Sequence, residues 1–390
     1  MSDPEPVETR HRATAGSRHK RHFDDEAGGA AVGARGRHEK RSKAKRSPVG
    51  SAPGQLVADP EAHRTRLSVA GLGSGRCEML VDVSLGEALS RRGDWPLFWL
   101  DCAGLADVAT IRRIGEAFGL HVLAMEDVVN TDQRPKCDAY DDHAYVVVRM
   151  LDGDGQGEQL SLFFGDGFVL TFQERPGDSF QPVRERIARG APRLHAGNAD
   201  YLAYALIDAV VDAYFSVVDR HGARIEAVED EIFEDVDAIQ VPELHAMRRD
   251  MLGLKRWLRP TRDAIGVLLR LDRRWLRDDT KVYFADIRDH ADQLIDLNDT
   301  YRDTVSGLID LHMTLSAART NEVVNLLTVI SAIFIPLGFL AGLWGMNFNP
   351  DMSDWNMPLT QSRYGYPIAL AVMAAIGIGL LAYFRRRRWI

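Results

Sequence analysis

The 390-residue sequence predicts an α/β domain, then a long α-helical stalk, then two transmembrane helices at its C-terminal end. Three observations lead there. Residues 323–344 carry no charged side chain, and crossing a hydrocarbon core takes about 20 apolar residues. A second apolar run, residues 365–384, follows a short polar loop and stops at Arg385-Arg386-Arg387-Arg388. Upstream of both, segments rich in β-branched and aromatic residues are confined to the region before residue 196, and helical periodicity takes over beyond it.

The N-terminal end differs from the rest. Residues 1–48 hold twelve lysines and arginines against seven acidic residues, a net +5 that leaves −13 for the remaining chain within the total of −8. Residues 1–60 have too few apolar side chains to offset the entropy of ordering, so they read as a disordered basic tail. Its cluster Lys40-Arg41-Ser42-Lys43-Ala44-Lys45-Arg46 suits anionic lipid or nucleic acid, but a solvated tail explains it with fewer assumptions, and no nucleic-acid partner is expected. The acidic body suits a protein that handles cations.

The predicted α/β domain covers residues 61–196. Candidate strands are 97–101, 145–150, 160–164 and 168–172, bounded by Asp and Gly, and residues 109–118 have helical apolar spacing. The glycines of Gly71-Leu72-Gly73-Ser74-Gly75-Arg76 predict a turn, because a phosphate loop requires a different spacing ending in Gly-Lys. Cys77, Cys102 and Cys137 are too scattered for a zinc knuckle or a disulfide framework, which points to a reducing compartment. No nucleophile elbow, zincin pair or Walker motif is present, so no enzyme activity is expected.

The stalk region covers residues 197–322. Helical periodicity runs through 201–236, breaks at Val241-Pro242, resumes from Glu243 and is expected to be interrupted again at Pro260. From Thr280 to Leu343 one continuous helix, about 95 Å long at 1.5 Å per residue, can start in the soluble part and finish as the first span. Ile287, Ala291, Leu294, Tyr301, Val305, Leu308 and Leu315 recur on it with alternating spacings of three and four, and Asn298 and His312 occupy two of the same positions. Such a seam packs either against copies of itself or against the chain's own upstream helices.

The first span is residues 323–344. Continuing the seam into it gives a face of Asn321, Val324, Thr328, Ser331, Ile335, Gly338 and Gly342, opposite Leu327, Ile330, Phe334, Leu337 and Leu340. Membrane helices also pack through small and polar residues, but here the same face runs into Gly345-Met346-Asn347, where a carbonyl and a neutral amide can meet an entering ion. The face lacks carboxylates. Magnesium sheds water reluctantly, so a path of neutral oxygens can pass it partly hydrated and let it leave. Residues 345–364 form an external loop, residues 365–384 the second span and residues 385–390 a basic end. The arginines hold that end in the cytoplasm, and two spans return the N-terminus to the same side of the cell membrane.

Asn321-Glu322-Val323-Val324-Asn325-Leu326-Leu327-Thr328, Phe334-Ile335-Pro336-Leu337, Gly342-Leu343-Trp344-Gly345-Met346-Asn347-Phe348 and Gly365-Tyr366-Pro367 resemble, in this order, the signature of the CorA family of magnesium transport proteins. Met125-Glu126-Asp127 with Gln133-Arg134-Pro135-Lys136, and Tyr283-Phe284-Ala285-Asp286-Ile287-Arg288-Asp289-His290, resemble two further segments of that family, and the similarity spans residues 60–390. The resemblance implies a homopentameric funnel whose first spans line a pore for Mg²⁺, and also Co²⁺ and Ni²⁺, flowing inward down the electrochemical gradient. It implies that Asn347, helped by the Gly345 carbonyl and Met346, receives the hydrated ion. It further implies a regulatory Mg²⁺ site between neighbouring subunits at Asp127 and Asp286, with Glu126 adjacent, and no organic cofactor.

Two features depart from the family pattern. The external loop is not the usual acidic one, although Asp351 and Asp354 can attract cations, and Val324 and Gly338 replace bulkier or more polar residues. Two other readings fit parts of the chain. A zinc transporter of the same superfamily would favour thiolate or imidazole ligands, which the proposed pore face lacks. A membrane-anchored cation sensor or scaffold would bind ions without conducting them.

Overall fold

The computed structural model describes residues 53–57, 59–73, 75–152, 155–177, 179–353, 355–357, 362–387 and 389, so the basic tail up to residue 52 lies outside the described residues. The chain first forms strands β1 (Arg66–Gly73) and β2 (Arg76–Val81), helix α1 (Leu85–Ser90), strand β3 (Leu97–Ala103) and helices α2 (Val108–Phe118) and α3 (Val122–Val129). Strands β4 (Lys136–Ala139), β5 (His143–Leu151), β6 (Gly157–Gly165) and β7 (Phe168–Gln173) follow, then the short helices α4 (Gln181–Ala188) and α5 (Pro192–His195). Long helices α6 (Ala199–Glu234), α7 (Val241–Leu268) and α8 (Asp278–Trp344) come next, and α9 (Gly365–Arg386) closes the chain.

The strands form one sheet in the order β2-β1-β3-β7-β6-β5-β4, in which β3 and β7 run parallel and the other pairs antiparallel. Period-two alternation divides its side chains between two cores. Leu97 and Trp99 of β3 pack with α6, α7 and α8 on one face, whereas Phe98, Leu100 and Cys102 pack with α1, α2 and α3 on the other. Strands 97–101, 145–150, 160–164 and 168–172 fall inside β3, β5, β6 and β7. The turn expected over residues 71–76 is narrower than the glycines suggest. Gly71 and Gly73 belong to β1, and the Trp95 indole fills the space a Cβ at residue 71 would need.

Helix α6 is itself long and apolar enough to cross a membrane, yet 67% of its most apolar stretch is buried within the chain, against 6% for the corresponding stretches of α8 and α9. Its apolarity therefore serves the soluble core, and α8 and α9 carry the surface that lipid or other subunits must cover. Helix α7 continues unbroken past Pro260, correcting the expected interruption. A proline inside a helix costs about 3 kcal/mol, but Leu258, Thr261, Ala264 and Ile265 are buried around it, and burying one large aliphatic side chain returns about 1.5–3 kcal/mol.

The 67 residues of α8 extend about 100 Å. Ile287, Ala291, Leu294, Asn298, Val305, Leu308 and His312 are all buried on it. Ile287 and Leu294 lie in the core shared with α6, α7 and the sheet, and Val305 and Leu308 pack with Ile225, Val228, Ile232, Leu244 and Met247. The seam is therefore filled by the chain's own upstream helices. Nearer the membrane, Arg319 pairs at 2.9 Å with both Asp235 and Asp237 in the α6–α7 connection.

Candidate ion path and cation site

Helix α9 covers one side of the membrane part of α8. Val329 is 4% exposed there, and Leu337 Cδ1 lies 3.9 Å from where a Cβ would stand at Gly377 of α9. With 3.6 residues per turn, Asn321, Val324, Thr328, Ser331, Ile335, Gly338 and Gly342 fall between about a quarter and half a turn away from that side. Ser331 is half-buried and the other six are exposed. Apart from the adjacent backbone of α8 itself, no described atom lies within 4 Å of a Cβ at Gly338 or Gly342, so packing within the subunit does not require glycine at either position. The Thr328 hydroxyl donates to the Val324 carbonyl at 2.7 Å, which leaves its lone pairs as acceptors on this face.

Helix α8 ends at Trp344, and the Gly345 N–H closes it by donating to the Ala341 carbonyl at 2.9 Å. The last carbonyls of a helix lack intrahelical donors and carry the negative end of its dipole, so this terminus is a favourable place for a cation. Met346 and Asn347 follow immediately and are exposed. Asp351 sits in a 3-10 turn, Pro350–Met352, where its N–H donates to Asn349 Oδ1 at 3.0 Å. Asp354 lies outside the described residues.

The soluble carboxylates are positioned by α3 and β4. Helix α3 begins where the Leu123 N–H donates to His121 Nδ1 at 3.3 Å, and it buries Ala124, Met125, Val128 and Val129, which leaves Glu126 and Asp127 half-buried at the surface. Glu126 Oε2 accepts the Gly54 N–H at 2.7 Å. Asp127 Oδ2 accepts from Lys136 Nζ at 2.8 Å, and the same ammonium donates to Asp138 Oδ2 at 2.6 Å. Burial works against the charge on Lys136, but the hydrogen bonds and fields of the two carboxylates outweigh it and hold its pKa above the usual lysine range.

Asp286 is exposed on α8, and His290 Nε2 stands 3.9 Å from its Oδ2 one turn further on. Among the described residues no hydrogen bond or ion pair joins Asp286 to Glu126 or Asp127, so a single subunit does not assemble the trio. Sequence reasoning missed two neighbours. One is Lys136, whose spacing from Asp138 puts both on one face of β4. The other is the group of Asp208 and Asp212 on α6 with His290, whose ligand atoms lie within 4.8 Å of one another. Burial raises the pKa of Asp208, Asp212 adds to the rise, and a hydrogen bond from Tyr204 at 3.3 Å opposes it. The i, i+4 spacing of the two aspartates was the available signal, and only the helix packing shows that His290 meets them.

Together, an α/β domain, a long helix that continues from it into an apolar stretch and a second apolar helix beside that stretch give the architecture of a membrane transport protein. Residues 96–386 match the family described as CorA-like Mg2+ transporter protein. The cobalt/magnesium transport protein CorA of Thermotoga maritima is 37% identical over 297 residues, 75% of this chain and 83% of that protein. The putative metal ion transporter YfjQ of Bacillus subtilis is 34% identical over 75% of this chain and 89% of that protein. The solved structure of the CorA magnesium transporter from Methanocaldococcus jannaschii superposes with a TM-score of 0.69 at 20% identity, over 83% of this chain and 98% of that one, and shows the shared fold. The chain belongs to the CorA-like Mg²⁺ transporter family and is a divalent cation transporter of the membrane.

Proposed function

We propose that the chain forms a homopentameric channel that admits Mg²⁺, and also Co²⁺ and Ni²⁺, into the cell, with both chain termini cytoplasmic. The observation that carries this reading is the stripe from Asn321 to Gly342, opposite the side covered by α9 and leading into Gly345-Met346-Asn347. Repeated around a central axis, the stripe gives a pore of hydroxyl, amide and small side chains, with α9 on the outside. Asn347 and the carbonyls at the end of α8 receive the ion with part of its water shell, and Asp351 and Asp354 draw cations to the entrance.

Influx needs no further energy source. A potential of 100 mV contributes about 4.6 kcal/mol for a divalent ion, more than a thousandfold in accumulation. Cytosolic Mg²⁺ bound by Glu126 and Asp127 of one subunit and Asp286 of the next closes the pore, because the ion bridges carboxylates that otherwise repel. The test is flux of the purified full chain in liposomes with an inward gradient and negative internal potential. Mg²⁺ entry that stops when internal Mg²⁺ is raised supports the reading. Binding without flux would make the protein a sensor, and Zn²⁺ entry without Mg²⁺ entry would make it a zinc transporter.

A further inference from the structure

We infer that Lys136 is a built-in competitor of the divalent cation at Asp127 and sets how much Mg²⁺ the regulatory site requires. The inference rests on the proposed regulatory role of Asp127. Lys136 Nζ lies 2.8 Å from Asp127 Oδ2, so the ammonium uses the same carboxylate lone pairs that a bound Mg²⁺ or its coordinated water would use. It also lies 2.6 Å from Asp138 Oδ2, and this second carboxylate gives the ammonium somewhere to stay when a divalent ion displaces it from the first. Nζ itself stands over the Tyr145 ring, 5.3 Å from its centroid, which adds a third contact to the two aspartates in holding the head group in place.

The neighbouring Glu126 is engaged as well, through the Gly54 N–H. Glu126, Asp127 and Asp138 therefore each have a donor from the chain itself. Binding a divalent ion at Asp127 exchanges one cation for another, and its cost depends on where Lys136 goes. With Asp138 present the ammonium transfers to it. Without Asp138 it stays on Asp127.

Removing Lys136 and removing its second partner, Asp138, thus predict shifts of opposite sign. In full-chain protein in detergent, protection from proteolysis titrated with Mg²⁺ should reach its midpoint at about tenfold lower Mg²⁺ for Lys136→Met, because a unit charge at hydrogen-bond distance from the ligand is removed. Lys136→Arg, which keeps the charge, should stay near the parent. Asp138→Asn should need more Mg²⁺ than the parent, which keeps the test available even if Lys136→Met folds poorly. In Lys136→Met combined with Asp127→Ala the gain should vanish, since it acts through Asp127. An Asp127→Ala curve that coincides with the parent would overturn the regulatory role of Asp127 itself. If Asp127→Ala shifts while Lys136→Met coincides with the parent or needs more Mg²⁺, that role stands and the competition by Lys136 is wrong. An Asp138→Asn midpoint at or below the parent's would also overturn it.

Discussion

The phenol of Tyr301 on α8 rests against the backbone of Gly222 on α6: a Cβ at residue 222 would stand 2.7 Å from Tyr301 Cζ and closer still to its hydroxyl oxygen. The contact fixes α6 against the helix that leads into the membrane. Gly222→Ala gains up to about 1 kcal/mol of helix propensity, while forcing a ring out of a packed contact costs about 1–3 kcal/mol. The variant should therefore unfold at a lower temperature than the parent. Combining it with Tyr301→Ala should cost less than the two single changes added together, because the clash is then absent. Thermal unfolding of the four proteins in detergent checks the sign of the coupling.

Asn347 lies beyond the end of α8 and is exposed, so its side chain contributes little to the fold of the subunit. Asn347→Ala should assemble normally in the membrane and lose Mg²⁺ uptake, by at least about a hundredfold if the amide is needed to hold the hydrated ion. The comparison is radiotracer or dye-reported uptake at equal amounts of assembled protein. Uptake near the parent's would remove the amide from the mechanism.

The membrane helices and the central strands were legible because their signals are local: long uncharged runs for α8 and α9, and β-branched or aromatic runs for β3, β5, β6 and β7. Strand β1 was hidden by Gly71 and Gly73, whose value lies in the space they leave, Gly71 for the Trp95 ring. The path of α7 through Pro260 was hidden because tertiary packing overrides propensity there. The α8 seam was visible, but its partner was not, since a periodic apolar face has the same appearance whether a copy or an upstream helix covers it. At the proposed regulatory site, the family resemblance pointed to Glu126, Asp127 and Asp286, which local sequence alone does not set apart from other surface carboxylates. The sequence could not show that Lys136 already pairs with Asp127, because ion pairing depends on how α3 meets β4.

Glu158 on β6 is 6% exposed, with Oε2 accepting the Arg175 N–H at 3.0 Å and facing Arg175 Nε at 3.5 Å. Burial pushes its pKa up to about 7, with Arg175 opposing and Glu174 adding to the rise. The folded protein therefore holds this proton more tightly than the unfolded chain does. The resulting contribution to stability is complete below the ordinary glutamate range and is lost as pH rises through about 7. Glu158→Gln keeps an acceptor without the charge, so it should stabilise the protein by ~2 kcal/mol at pH 8 and much less at pH 5. Unfolding temperatures of variant and parent at the two pH values give the comparison. Equal differences at both would show that Glu158 does not titrate across this range.

Asp286 stands one turn before His290, which in turn meets Asp208 and Asp212. In the proposed assembly, a divalent ion that joined Asp286 to Asp127 of a neighbouring subunit would replace repulsion by a bridge, so loss of either carboxylate would weaken the bound, closed arrangement. Asp286→Ala should shift Mg²⁺ protection against proteolysis to higher concentration, and transport should persist at internal Mg²⁺ that shuts the parent. Asp127→Ala should act in the same direction, but with a smaller shift, because it also releases Lys136 from one of its two anchors. Removing both should add little to Asp286→Ala alone, since the two carboxylates work through one ion. Protection curves and flux measured on the same preparations decide the matter: additive shifts would mean that each carboxylate holds a separate ion, and coincident curves would leave both as solvated surface.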